Sequence, residues 1–72
     1  MIQGQVRNVS DKGFGFIVTG AGKDYFFHKS ALQNYDWNEL QADYATGKKI
    51  EVTFEATEGP KGPRAEYVSV ID

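Results

Sequence analysis

The chain of 72 residues contains no cysteine, a single histidine and no long apolar run. Without cysteine it forms neither a disulfide framework nor a thiolate zinc site, and one histidine argues against a histidine-built metal site. No segment approaches the ~20 apolar residues that span a bilayer, and residues 1–4 lack the layout of a signal peptide. We therefore expect a cytoplasmic protein with no metal, no cofactor and no membrane contact.

An excess of positive charge is also missing, since the formal net charge is −2. At first this argues against a nucleic-acid partner. The two halves differ, however: residues 1–35 carry four basic and two acidic side chains, whereas residues 36–72 carry four basic and eight acidic ones. A local positive patch in the first half can act although the whole molecule is acidic.

Two short segments, residues 12–17 and 25–30, concentrate the aromatic side chains of this more basic half. Side chains alternate between the two faces of a strand, so Phe14 and Phe16 share one face and Gly15 and Ile17 the other. The same rule separates Phe26 and His28 from Tyr25 and Phe27. The core side of each strand is marked by Ile17, Tyr25 and Phe27. The residues predicted to face outward are therefore Phe14, Phe16, Phe26 and His28.

Apolar alternation and turn residues predict five strands in a single domain spanning residues 1–72. These strands are predicted at residues 2–9, 14–19, 24–28, 50–55 and 64–71. Turns are predicted around residues 10–13, 20–23 and 58–63. Five strands of this length fit a small closed barrel, which also removes exposed sheet edges.

The segment between the third and fourth strands carries helix signals. Ser30 lies three residues before Gln33, a capping-box spacing that predicts one helical turn over residues 31–33. Asp36 and Glu39 repeat the spacing, and a helix is predicted near residues 37–44 with Gly47 as its stop. The predicted fold is all-β: a five-stranded antiparallel OB-fold barrel with a short helical insert between strands 3 and 4.

Rings on a wet face contribute little to folding, so their exposure indicates a partner. Unpaired bases stack on such rings for roughly 1–3 kcal/mol each, whatever the base. Arg7, Lys12 and Lys29 could pair with phosphates or base edges; the alternative is that they are ordinary solvated charges. A second alternative is that the rings pack under residues 34–49 as core.

Catalytic chemistry has little support in this chain. His28 has no evident serine or carboxylate partner, and stacking suits it better than acid–base catalysis or metal binding. Gly13 and Gly15 lack the strand–loop–helix setting of a phosphate loop, and we expect them to permit coiling and close ligand approach. Tyr35 and Trp37 are expected to pin the insert to the barrel. We expect no enzyme and no small-molecule substrate.

Residues 12–17 (Lys-Gly-Phe-Gly-Phe-Ile) and 26–31 (Phe-Phe-His-Lys-Ser-Ala) resemble the two ribonucleoprotein motifs of the cold-shock domain. Residues 4–7 and 62–68 resemble the first and last strands of that family. The resemblance implies an OB barrel that binds single-stranded RNA or DNA with little sequence preference, often as an RNA chaperone. The binding residues that it and the pattern indicate are Arg7, Lys12, Phe14, Phe16, Phe26, His28, Lys29, Trp37 and Arg64.

The chain departs from that family at three ring positions. The family usually has Lys-Trp-Phe-Asn in the first strand, where this chain has Arg-Asn-Val-Ser at residues 7–10, one residue shorter before Lys12. Lys29 replaces a further phenylalanine. The longer insert brings Tyr35 and Trp37, which could replace part of the lost surface. We therefore expect weaker binding than in relatives with every ring.

Two other functions compete with this prediction. An RNA-recognition motif shares the first signature, but Thr19 at the last aromatic site and the lack of two long helices argue against it. A protein-interaction OB domain is the alternative from a different class, supported by the acidic charge and the missing tryptophan. For the oligomeric state we expect a monomer, with a dimer as the alternative.

Overall fold

The structure is a computed structural model that describes residues 1–60 and 62–71. Five strands form a closed barrel in the order β1-β2-β3-β5-β4. A single 3-10 turn and one α-helix lie between β3 and β4. The strands are β1 (Ile2–Val9), β2 (Phe14–Thr19), β3 (Asp24–His28), β4 (Glu51–Gly59) and β5 (Gly62–Ile71), and the helical segments are the turn η1 (Lys29–Ala31) and the helix α1 (Trp37–Ala45).

The predicted OB-type barrel is confirmed, except that one of its strand pairings is parallel instead of antiparallel. β1 pairs antiparallel with β2 and β4, and β2–β3 and β4–β5 are antiparallel too. The contact that closes the barrel, between Phe26 of β3 and Arg64 of β5, is parallel. Successive strands alternate in direction, so two odd-numbered strands placed side by side necessarily run the same way.

The core lies inside the barrel and is built by the inward positions of every strand. Ile17 and Phe27 are fully buried and Tyr25 nearly so, as the alternation predicts. β4 contributes Val52 and Phe54, both with no exposed surface. The other buried apolar side chains of the core are Val6, Ala31, Leu40, Ile50, Ala65 and Val68.

The predicted helix is confirmed, with Asp36 as its N-cap: the Asp36 carboxylate accepts a hydrogen bond from the Asn38 backbone N–H at 3.0 Å. It ends at Ala45, followed by Thr46 and then Gly47 with φ 82°. Leu40 is the buried residue of the helix and belongs to the core cluster. The helix is also tied to the segment before it, because the Tyr35 hydroxyl donates to the Asp43 carboxylate.

The predicted capping box at Ser30 and Gln33 is wrong. The turn spans Lys29–Ala31, two residues earlier than predicted, and its cap is the imidazole of His28. The backbone N–H of Gln33 donates instead to the carbonyl of Val68 at 2.9 Å. A pairing with β5 therefore replaces the helical turn at that position.

The last two strands are longer than predicted. Their hairpin keeps pairing up to Gly59 and Gly62, so most of the loop predicted at residues 58–63 is strand. The apolar alternation of β4 stops at Phe54, and the rest of this strand is mostly exposed. Alternation marks only the buried half of this strand, and Lys61, part of the predicted loop, lies outside the described residues.

Candidate nucleic-acid interface

Four side chains on the outer face of β2 and β3 form one continuous surface, which we call the ring platform: Phe14, Phe16, Phe26 and His28. The strand register places Phe14 opposite His28 and Phe16 opposite Phe26. The Phe26 ring lies between its two neighbours, with centroids 5.8 Å from both Phe14 and Phe16. Phe14 is close to parallel with it (26°) and Phe16 is edge-on (73°).

The platform is not part of the core. Its three phenylalanines are half-buried and are absent from both the buried cluster and the apolar side chains packed against that cluster. The alternative that residues 34–49 cover these rings is therefore wrong. The inward positions are occupied by Gly15, Ile17, Tyr25 and Phe27, so the rings lie on the outer face in contact with one another.

Gly15 serves the barrel rather than a ligand, contrary to the expected close ligand approach. A Cβ at this position would lie 2.4 Å from the carbonyl oxygen of Asn8 and 2.8 Å from the Phe27 ring. The position is buried. The close approach is thus between β2, β1 and the core ring beneath.

An open groove of about 640 Å³ runs beside the platform. Phe16, Phe26 and His28 form one wall, and the β4–β5 hairpin forms the other. Arg64 reaches into it from β5, with its guanidinium carbon 6.0 Å from the centroid of the Phe26 ring. Flat apolar walls with a cation at the rim suit a stacked base and its backbone.

A smaller notch of about 270 Å³ lies on the opposite side of Phe16. Arg7, Asn8 and Asp24 line it together with the Phe16 ring. Sequence reasoning did not assign Asn8 or Asp24 to the binding site. The register that brings Asn8 opposite Phe16 follows a β-bulge between Val6 and Asn8, a feature that the alternation pattern does not reveal.

The basic residues predicted to bind nucleic acid differ in whether they form ion pairs with carboxylates. Arg7 bonds Asp24 at 2.7 Å, and Arg64 bonds Glu66 at 2.8 Å. Within the described part of the chain, Lys12 and Lys29 make no ion pair. The Lys29 stem lies over Gly13, where an added Cβ would come within 3.1 Å of its Cδ atom. Both lysines flank the Phe14 end of the platform.

These features can be set beside known proteins. Residues 2–71 match the family model described as the 'cold-shock' DNA-binding domain. The chain belongs to this family. It is 44% identical over 73 residues to the cold shock-like protein CspA of Stigmatella aurantiaca, covering 99% of this chain and 98% of that protein. It is 42% identical over 72 residues to the major cold shock protein of Streptococcus pyogenes, with 99% and 98% covered.

A third relative is the cold shock protein ScoF of Streptomyces coelicolor, 44% identical over 61 residues, or 83% of this chain and 82% of that protein. Cold-shock domains bind nucleic acid and are not enzymes, in agreement with the predicted class. In residues 1–60 and 62–71 no helix is long and apolar enough to cross a membrane. The same residues contain no group of three or more side chains suited to hold a metal.

The imidazole of His28 is held in this cold-shock domain by the turn that follows it. Its Nδ1 atom accepts a hydrogen bond from the Ser30 backbone N–H at 3.2 Å and lies 3.1 Å from the Ser30 hydroxyl oxygen. A backbone N–H can only donate, so Nδ1 carries no proton and the neutral ring is protonated at Nε2. His28 thus lines the groove with a ring that the following turn holds in place.

The structure does not bring Trp37 to the platform. Its ring packs edge-on against Phe27, with centroids 5.6 Å apart, and Phe27 lies on the inner face of β3. The indole N–H is buried with no hydrogen-bond partner in the described part of the chain. Tyr35 likewise packs against the core cluster. Both residues secure the insert, as the pinning interpretation predicts, and neither replaces a platform ring.

Proposed function

We propose that this cold-shock domain binds single-stranded RNA or DNA by stacking unpaired bases on the ring platform. The observation that supports this most strongly is the arrangement of Phe14, Phe16 and Phe26 as mutually contacting, half-buried rings outside the core. Such rings accept any base, because every base has a π face. Low sequence preference follows from that chemistry.

The mechanism has two parts. Each ring holds one base for about 1–3 kcal/mol, and the His28 imidazole extends the row. Lys12 and Lys29 beside Phe14 supply positive charge for the sugar–phosphate backbone. With three to five phosphates engaged, the logarithm of the binding constant should fall with the logarithm of salt with a slope of about −2 to −3.5.

A protein that holds unpaired strands opposes RNA hairpins, and we propose an RNA-chaperone role on this ground. Bases bound to the platform are withdrawn from pairing. The missing rings at Asn8, Val9 and Lys29 lower the affinity: three stacks of about 1 kcal/mol each amount to roughly a hundredfold. Weak, rapidly reversible binding suits a protein that releases the strand after opening it.

A titration with short oligothymidine or oligouridine at low salt tests the proposal. We expect the wild type to bind and Phe16→Ala to bind about 5- to 150-fold more weakly, the equivalent of one lost stack. Tyr44→Ala is the matched control, since Tyr44 is an exposed aromatic on α1, outside the platform. It should bind like the wild type.

Absence of binding at low salt would contradict the proposal. If Phe16→Ala then altered self-association or solubility instead, the platform would be a protein-docking face, the competing function. Equal losses in Phe16→Ala and Tyr44→Ala would also contradict it, because they would show a general loss of folding rather than a lost stacking surface.

A further inference from the structure

Glu66 occupies a position next to the platform that nucleic-acid binding alone does not explain. Its Oε1 atom accepts a hydrogen bond from Nε of Arg64 at 2.8 Å. The two residues are separated by one position on β5, so both side chains lie on the same face of the strand. The guanidinium held this way stands over the Phe26 ring, at the rim of the groove.

The contact leaves most of Arg64 available. An arginine has five N–H donors, and only the Nε–H is used here; the other four have no partner in the described residues. The carboxylate therefore fixes the plane of the guanidinium and leaves its two NH₂ groups open. At the same time it places a full negative charge against the cation.

Folding gives no evident reason for a carboxylate at residue 66. The strand register puts Glu55 of β4 directly opposite Glu66. Like charges in that arrangement destabilise a sheet. The Arg64–Glu66 side chains are also 43% and 35% exposed, and ion pairs this exposed add little stability. The position is better explained by an effect on Arg64.

We infer that Glu66 is a positioning residue that makes Arg64 a base-contacting group instead of a phosphate clamp; this rests on the proposed function. With its charge compensated, Arg64 gains little from a phosphate, which would have to compete with an attached carboxylate. Its oriented plane and free NH₂ groups still stack on a base or bond a base edge. Phosphate binding then falls to other basic side chains, including Lys12 and Lys29, which make no ion pair within the described residues.

The salt dependence of binding separates the two roles. A cation that neutralises a phosphate of a single strand contributes about −0.7 to the slope of log K against log salt, whereas a base contact contributes nothing. We therefore expect Arg64→Gln to weaken oligothymidine binding about fivefold at every salt concentration and to leave the wild-type slope unchanged.

Removing the carboxylate should convert Arg64 into a phosphate contact. In Glu66→Gln the amide oxygen can still accept from Nε, but the negative charge is gone. We expect up to about fivefold tighter binding at low salt and a slope steeper by about 0.7. Glu66→Ala, which loses the hydrogen bond as well, should show the same steeper slope.

Glu51→Gln is the matched control. It makes the same change in net charge, but Glu51 lies at the start of β4, opposite Ile71, so the variant should keep the wild-type slope. A slope flattened by about 0.7 in Arg64→Gln would overturn the inference, since Arg64 would already hold a phosphate. So would Glu66 variants with the slope of Glu51→Gln. If the wild type binds no oligonucleotide, the proposed function fails, and this inference fails with it.

Discussion

Tyr67 has a positive φ of 53°, the left-handed region that suits glycine and asparagine better than a bulky side chain. It lies at an irregularity of the β4–β5 ladder. Between the pairs Thr53–Ser69 and Glu55–Glu66, β5 has two residues where β4 has one. The side chain is 54% exposed, so packing does little to offset the backbone cost.

Replacing Tyr67 by glycine should stabilise the protein. The left-handed conformation costs an L-residue roughly 1–2 kcal/mol, more than the ~0.5–1 kcal/mol of backbone entropy that glycine adds. We expect Tyr67→Gly to raise the free energy of unfolding by about 0.5–1 kcal/mol in chemical denaturation. Tyr67→Ala keeps the Cβ and should show no such gain. A glycine variant no more stable than the alanine variant would refute the argument.

Gly15 is the second residue whose identity the backbone decides. An added Cβ would meet a carbonyl oxygen of β1 and a fully buried ring, and neither can move away easily. Gly15→Ala should therefore cost at least about 1–3 kcal/mol of unfolding free energy, the usual penalty of overpacking. Gly20→Ala is the control, since a Cβ there meets nothing within 4 Å. Equal stability of the two variants would contradict this.

At the scale of elements, the strands that carry the site could be predicted and the contacts between distant elements could not. The alternation over Phe14–Thr19 and Asp24–His28 fixes which rings face outward, because strand geometry is local. The ion pair Arg7–Asp24 joins β1 to β3 and depends on the strand register. Two local contacts could not be predicted either, because they depend on side-chain rotamers: the Arg64–Glu66 ion pair within β5, and the cap of η1, where a histidine replaces the serine that the sequence pattern indicated.

In the insert between β3 and β4, too, the local structure could be predicted and the distant contacts could not. Its helix follows from the Asp36 cap and the apolar spacing, yet nothing local tells which side of the barrel Trp37 contacts. The structure places that ring on Phe27, away from the platform. As a result the lost family rings have no substitute in the insert, a conclusion that only the tertiary contacts allow.

Because of this location, the fluorescence of Trp37 should not respond to nucleic-acid binding. As the single tryptophan, it accounts for the indole emission of the chain. Adding saturating oligothymidine should leave its intensity and wavelength unchanged, while denaturant should shift the emission, because unfolding exposes the partly buried ring. Strong quenching by the oligonucleotide, with binding confirmed by another method, would show that the insert borders the bound strand.

At the scale of the whole molecule, basic and acidic side chains are unevenly distributed along the chain. The net charge of −2 conceals a first half with twice as many basic as acidic side chains, and this half contains the ring platform. The acidic side chains of β4 lie at exposed positions on the outside of the barrel. We therefore expect the proposed binding to depend on stacking more than on long-range attraction, which suits a surface whose two arginines are already paired with carboxylates.

A nuclear magnetic resonance titration with short oligothymidine tests the central claim most directly. Bases stacked on phenylalanine rings experience ring currents, so thymine resonances should move upfield while the ring protons of Phe14, Phe16 and Phe26 shift together. Resonances of α1 should stay in place. Thymine signals that move without any change at these three rings, or shifts confined to α1 and the outer face of β4, would contradict the account.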